Sequence, residues 1–211
     1  MIGAMTPPLN VLVIESRPGA AAEPIRELEA AGHHTLTCHD GRTAVTCRGL
    51  QDQDACPLAR DPDVALLVRP RVDPYTSARE ATAVVCAVRA GISLVEAGPA
   101  HLDPYDAVVT ARAVDGDVVA ACEAGVDEAL DTLGRTILHH VTSMPATCHV
   151  ERVGRRLHVR LDLAQPVDPA EAQALAVRAL DAVRACGRSY GQVDVSVTNG
   201  GAGGTFGPGG G

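Results

Sequence analysis

The chain has 211 residues, 46% of them hydrophobic and 21% charged, and its formal net charge is −8. These values are ordinary for a globular protein with one medium domain and a small one. Aromatic residues make up only 2%, and the net charge is negative. Both features argue against nucleic-acid binding, which relies on basic surfaces and aromatic stacking. All 18 basic residues are arginine, which excludes lysine Schiff bases and the lysine of a Walker-type phosphate loop.

Residues 10–141 alternate apolar runs with helical patterns. Strands are predicted in the segments "NVLVIES", "HTLTC", "DVALLVR", "ISLVEAG" and "YDAVVTA". Helices are predicted in "PGAAAEPIRELEAAGHH", "SAREATAVVCAVRAG" and "DVVAACEAGVDEALDTLGRTILHHV". Short connections between alternating strands and helices indicate an α/β fold, a parallel sheet of five strands covered on both faces. In the second helix the predicted apolar face consists of Ala81, Val84, Val85 and Val88.

The pattern changes after residue 146. Two strands, a helix starting at Pro169 and a final strand predict a small ββαβ domain over residues 147–198, with Leu157, Val159, Leu161 and Leu163 on its buried face. We expect this domain to dock on the larger domain or on a second copy, because about 50 residues make a small core. Residues 142–146 form a linker, and residues 1–9 and the glycine-rich tail 199–211 are expected to be disordered.

In length and element order, residues 10–141 resemble the two-component receiver domain, which has a flavodoxin-like fold. The resemblance implies the strand order 2-1-3-4-5. Receivers also have a phosphorylation site, and the corresponding positions of this chain do not match it. Glu15 and Ser16 occupy the positions of the acidic pair, Val68 occupies the position of the phosphoacceptor Asp, and the required lysine is missing. The chain is therefore expected to be a pseudo-receiver that takes no phosphoryl group.

Residues 147–198 resemble the small domain of the alkaline-shock-protein family in the frame from "VRLDLAQPVD" to "VDVSV". They are similarly compatible with the cytoplasmic domain of cation-efflux transporters. The whole arrangement, with Cys-Pro-Leu in the second connection, resembles a family of actinobacterial proteins, and that resemblance implies no activity.

Three cysteines, Cys38, Cys47 and Cys56, recur with eight residues between each in a segment that lacks a helical pattern. In a 2-1-3-4-5 sheet this segment runs beside the helix that carries Cys86, and Cys86 lies off the main apolar stripe. Four thiolates suit zinc or an iron–sulfur cluster. A disulfide or redox pair between Cys47 and Cys56, or buried free thiols, would explain the same residues. Cys122, Cys148 and Cys186 are isolated and are expected to be structural.

A second candidate site lies at the carboxyl ends of the strands, where open α/β sheets bind ligands. Three arginines near the start of a helix are suited to a phosphate or carboxylate. The candidate anion-binding residues are Arg17, Arg69, Arg71 and Ser77.

Two functions remain open from the sequence. The first is a non-catalytic regulatory or assembly module that binds a protein partner or associates with itself. The second is a metal-binding or thiol-redox protein organised around the four cysteines. No secretion signal or membrane span is recognisable, so a cytoplasmic location without membrane insertion is expected.

Overall fold

A computed structural model describes residues 7–39, 47, 49, 52–69, 77–98, 104–141, 144–188 and 190–199. The chain divides into two compact units, residues 1–129 and 130–211. The predicted disordered ends lie outside the described residues, apart from residues 7–9 and 199. Of these, Leu9 is buried in the core of the first unit.

The first unit is a flavodoxin-like α/β fold. Its parallel sheet has the order β2-β1-β3-β4-β5, which confirms the predicted topology. The elements in chain order are β1 (Asn10–Glu15), α1 (Ala22–Ala30), β2 (His34–Thr37), β3 (Val64–Val68), α2 (Ala78–Arg89), β4 (Ser93–Ala97), β5 (Val109–Arg112) and the first half of α3 (Val118–Val141).

Both faces of this sheet are covered, as the unbroken apolar run of β3 predicts. Successive residues of β1 point to opposite faces, so Val13 belongs to one core cluster and Leu12 to the other. The first cluster includes Leu28 of α1 and Ala121 of α3. The second contains three residues of α2: Ala83, Val84 and Ala87.

The buried face of α2 differs from the one that the sequence predicts. Val85 is 46% exposed and Val88 is 39% exposed. The buried residues are Glu80, Ala83, Val84 and Ala87. Small alanines let the helix approach the sheet closely, and the charge of Glu80 is met by Arg69, 3.3 Å away. A prediction based only on the larger apolar residues therefore misses both the alanine face of the helix and the buried Glu80.

The second unit is a three-stranded sheet of order β6-β7-β8, with β6–β7 antiparallel and β7–β8 parallel. Its elements are β6 (Ala146–Val153), β7 (Arg156–Leu163), α4 (Pro169–Ala185) and β8 (Gln192–Asn199). The inner face of β7 is buried as predicted, with Leu157, Val159, Leu161 and Leu163 each at most 1% exposed.

Helix α4 contributes Leu175, Ala179 and Val183 to the core of this second unit. The second half of α3 contributes Leu133 and Ile137 to the same core. The sequence-based linker 142–146 follows the end of α3, whereas the two units divide inside that helix, between residues 129 and 130. Hydrophobic periodicity marks where a helix ends, and it does not show which core each turn of the helix serves.

Among the described residues, none of the helices combines the length and apolar character that crossing a membrane requires.

Candidate functional site

Cys38 directly follows β2, at the carboxyl edge of the parallel sheet. Its side chain is only 6% exposed and belongs to the core cluster that Leu12 and Ala83 help to form. The end of an edge strand therefore fixes the position of this thiol.

The Cys-Pro-Leu sequence fixes Cys56. Cys56 has an extended backbone and stands immediately before a short 3-10 helix, Pro57–Arg60. Proline suits the first position of such a helix because its φ is already set and its missing N–H would have no partner there. Pro57 is buried, and Leu58 packs against the same core cluster that contains Cys38. These two neighbours anchor Cys56 on the first unit.

Gly49 lies against Cys56. A Cβ atom at position 49 would be 2.9 Å from the Cys56 Cβ and 3.1 Å from its Sγ, closer than side chains normally approach. Glycine is therefore the residue that lets the chain just after Cys47 pack on Cys56.

Cys86 lies on α2, one position before the fully buried Ala87. One residue turns a helix by about 100 degrees, so the thiol stands at the flank of the buried face. Its side chain is half-buried. The sequence placed Cys86 off a stripe that included Val85 and Val88, and both of these residues are exposed.

Electrostatic interactions link the four predicted thiols. Burial, and then the neighbouring thiols Cys47, Cys56 and Cys86, together raise the pKa of Cys38 to about 12, because thiolates repel one another. Burial also raises the pKa of Cys86, and Cys47 and Cys56 act on it in the same direction. Arg79 opposes the rise at Cys38, and Arg89 opposes it at Cys86. Side chains from β2, the connection and α2 thus share one electrostatic environment.

The remaining three cysteines lie elsewhere. Cys122 is fully buried in the core of the first unit, where burial raises its pKa to about 12. Cys148 packs in the second unit, where burial raises its pKa to about 11. Cys186 is exposed at the end of α4. None of the three contributes to the pKa of Cys38 or Cys86.

All seven cysteines are free thiols. In the part of the chain that the structure describes, no three His, Cys, Asp or Glu side chains stand in positions ready to hold a metal ion. The four thiols are neighbours without forming a closed ligand shell. Metal ligation would require their sulfur atoms to move closer together.

The predicted anion-binding residues are arranged differently from the sequence-based hypothesis. Arg69 is 5% exposed and lies between two carboxylates, with its Nε 3.3 Å from Glu80 and its Nη1 3.8 Å from Glu96. Ser77 caps α2, and its Oγ accepts a hydrogen bond from the Glu80 amide. Arg17 is exposed, and Arg71 lies outside the described residues.

The same ion-pair network continues along the carboxyl edge of the sheet. Arg112, at the end of β5, pairs with Glu96, and its Nη2 lies 2.6 Å from Asp106 Oδ1. Sequence reasoning did not assign Glu80, Glu96 or Arg112 to a site. The sequence contains one signal for this network. Glu96 lies inside the apolar run "ISLVEAG", and a buried charge requires an oppositely charged partner.

Val68, Ser16 and Glu15, the positions that the receiver resemblance singles out, lie at the ends of β1 and β3. Val68 is a buried strand residue, 6% exposed, and its carbonyl accepts a hydrogen bond from the Ser16 amide. Glu15 accepts a hydrogen bond from the Ala21 amide at the start of α1. The Ser16 amide and the Glu15 carboxylate are therefore both engaged with backbone groups of the protein.

No known protein family matches the chain, and no curated protein matches it. The resemblances to receivers and to the alkaline-shock-protein family remain predictions.

Proposed function

We propose that the protein binds a metal ion through Cys38, Cys47, Cys56 and Cys86, and that zinc is the ion. One observation carries the proposal. Four of the seven cysteines, contributed by three separate segments of the first unit, interact electrostatically, and the other three do not take part. Four thiolates are a common ligand set for structural zinc, and an iron–sulfur cluster is the alternative for the same set.

The metal's role would be structural. Between β2 and β3 the described residues include Gly49, which is helical, and two short 3-10 helices, Gln53–Ala55 and Pro57–Arg60. A metal bound by β2, the connection and α2 would tie these segments together, as structural zinc does in small domains.

Burial makes Cys38 a poor nucleophile unless a metal ion displaces its proton. A thiol becomes a nucleophile when its pKa falls, and burial raises the pKa of Cys38 to about 12. A protonated thiol of this kind reacts slowly with oxidants. A metal ion displaces the proton and supplies the positive charge that four clustered thiolates lack.

Metal analysis of the purified protein tests the proposal. Protein expressed with zinc and iron in the medium and purified without chelator should contain zinc in stoichiometric amount. Absence of both metals, with all seven thiols titrating after denaturation without reductant, would refute the proposal. Stoichiometric iron with acid-labile sulfide would replace zinc with a cluster.

Two buried cysteines provide a matched pair of variants. Cys38 and Cys122 are 6% and 0% exposed, and burial raises the pKa of each to about 12. The Cys38→Ala variant should lose its zinc, whereas Cys122→Ala should keep it. Equal zinc content in the two variants would contradict the assignment of Cys38 as a ligand.

A second candidate function is a non-catalytic regulatory or assembly module, and the carboxyl edge of the sheet supports it. Val68 stands at the phosphoacceptor position, and Arg69 is engaged by Glu80 and Glu96. Incubation with acetyl phosphate and magnesium should leave the protein unphosphorylated, and an acid-labile aspartyl phosphate would contradict this function. Self-association, its simplest form, would appear as a mass in solution above 21.8 kDa.

A further inference from the structure

The β6 edge of the second sheet is protected against pairing with another strand. An edge strand presents unpaired N–H and C=O groups, and proteins commonly protect it with an inward-pointing charge, a covering helix, a bulge or a short length. In β6, Arg152 lies opposite the buried Leu157, so a charged side chain points to the inner face. Helix α3 also packs closely on this strand, because a Cβ atom at Gly134 would lie 3.4 Å from the Cys148 carbonyl oxygen.

The edge strands of the first sheet have a different kind of protection. Both β2 and β5 have only four residues, and the pairing of β5 with β4 contains a register shift. Short or irregular strands offer few regularly spaced backbone groups to a partner.

Strand β8 has none of these features. It is eight residues long and pairs with β7 in an unbroken register. In the described part of the chain β7 is its only strand partner. A long, regular edge with an apolar inner face promotes association unless another strand covers it. The inner face of β8 carries three valines that pack against the core and are only half-buried: Val193, Val195 and Val197.

The sequence of β8 is complementary to itself. Two copies related by a two-fold axis perpendicular to the sheet pair antiparallel and keep their inner faces on the same side. When the axis passes through Val195, apolar side chains lie opposite apolar ones, and the Asp194 carboxylate faces a serine hydroxyl that can donate a hydrogen bond. The pairs between the two copies are then Val195 with Val195, Val193 with Val197, Asp194 with Ser196, and Gln192 with Thr198.

Other registers are less favourable. An axis through Asp194 places this carboxylate opposite itself, and like charges directly opposite are destabilising. An axis through Ser196 places Val193 opposite Asn199. Only the axis through Val195 gives each of the three valines another valine as its partner.

We propose that β8 is a self-association surface, and that its partner is β8 of a second copy of this chain, paired antiparallel about Val195. The two three-stranded sheets then form one sheet of six strands, and the two-fold symmetry closes the assembly at a dimer. The half-buried valines of the two copies cover one another, and the outward N–H and C=O groups of β8 gain partners. This proposal does not rest on the zinc function, because all its residues belong to the second unit.

Sedimentation equilibrium of the full chain tests the surface. The mass should rise with concentration from 21.8 kDa to twice that value and no higher, with or without a chelator. Hydrogen exchange followed by NMR should show alternate β8 amides that are protected only in the dimer. A mass of 21.8 kDa at every soluble concentration, a mass that rises past the dimer, or equal protection of these amides in the monomer would overturn the proposal.

Ser196→Asp tests the register. Ser196 is exposed, so the variant should fold normally, and its circular dichroism should match that of the wild type. The new carboxylate lies opposite Asp194 of the other copy, twice in each dimer, and should raise the dimer Kd about 10-fold. The swapped variant Asp194→Ser/Ser196→Asp again places one carboxylate opposite one hydroxyl. Its Kd should therefore return to the wild-type value, which a folding defect would not do.

Val153→Asp is the matched control. It adds a carboxylate to β6, the other edge strand of the same sheet, at a position that is 52% exposed. Its dimer Kd should equal that of the wild type. An unchanged Kd in Ser196→Asp, a swapped variant as weak as Ser196→Asp, or an equal loss in Val153→Asp would each overturn the pairing about Val195.

Discussion

The two units are ordered by different means. In the second unit, strict alternation along β7 buries every second side chain, and the core consists of aliphatic residues from the sheet and two helices. The first unit has such a core as well, but it also buries charges at the carboxyl edge of its sheet and gathers four thiols beside α2. Apolar pattern alone accounts for the second unit.

The first unit therefore depends on specific polar partners. Glu80 is fully buried, and its carboxylate lies 3.3 Å from Arg69. In its described part, the connection between β2 and β3 buries only small apolar residues, Cys38, Pro57 and Pro62. Where the hydrophobic effect contributes little, ion pairs and metal ligands are the remaining sources of order. The following four predictions test that contrast.

The largest effect is expected from a cavity in the second unit. Leu161 is fully buried, so Leu161→Ala should lower the free energy of unfolding of this unit by about 2.7–5.0 kcal/mol, the range for such changes. Chemical denaturation followed by hydrogen exchange in residues 146–199 measures it. Val153→Ala, at a site 52% exposed, should have little effect. Loss of zinc from Leu161→Ala would show that the contrast between the units is wrong.

The same contrast explains how much the sequence predicts. The five strands and the buried face of β7 were predictable from apolar runs and from alternation along a strand, whereas the order 2-1-3-4-5 was predicted from the resemblance to receivers. The burial of Glu80 was not predictable. Its partner Arg69 belongs to a different element, and only the folded chain brings them together.

For the candidate thiol site as well, one part was predicted from the sequence and another was not. Membership of Cys86 was inferred from helix geometry combined with the predicted strand order, and its pKa responds to Cys47 and Cys56. The buried face of α2 was not predicted correctly, because it depends on the small residues Ala83 and Ala87 and not on the larger Val85 and Val88.

The second prediction concerns metal removal. A ligand that binds only the folded state stabilises it by about 4.1 kcal/mol when its free concentration is 1,000 times its Kd. Removal of zinc by a chelator should therefore lower the free energy of unfolding of the first unit by about this amount, compared with protein at that zinc concentration. Hydrogen-exchange protection should fall in β1, β2 and β3, and it should stay unchanged in β6, β7 and β8. Equal loss of protection in both units would contradict a site confined to the first.

The third prediction removes one charge from the buried network. Glu80→Gln leaves Arg69 with Glu96 as its remaining carboxylate in the network. Breaking a buried ion pair costs about 3–5 kcal/mol, and we expect about 3 kcal/mol because one carboxylate remains. Urea denaturation measures the change. The double variant Arg69→Met/Glu80→Leu should be less destabilised than Glu80→Gln, since it leaves no uncompensated charge at this pair. A Glu80→Gln variant as stable as the wild type would show that the pair contributes nothing to folding.

The smallest effects are expected from the caps of two helices, one in each unit. The Ser77 side chain accepts a hydrogen bond from the Glu80 amide at 3.1 Å, and the Asp168 side chain accepts one from the Glu171 amide at 2.8 Å. Replacement of either cap by alanine should lower the free energy of unfolding by about 1 kcal/mol, because one amide at the helix start loses its acceptor.

The two cap variants should differ in zinc affinity. Ser77 caps the helix that carries Cys86. In Ser77→Ala the cap no longer helps to order α2, so part of the free energy of zinc binding must do so instead. For about 1 kcal/mol this corresponds to an affinity about 5-fold weaker. Asp168 starts α4, which carries none of the four proposed ligands, so Asp168→Ala should bind zinc as the wild type does. Competition titration with a chelator measures both values. A similar loss of affinity in the two variants would mean that metal binding responds to the stability of the whole chain, and the division of labour between the units would have to be abandoned.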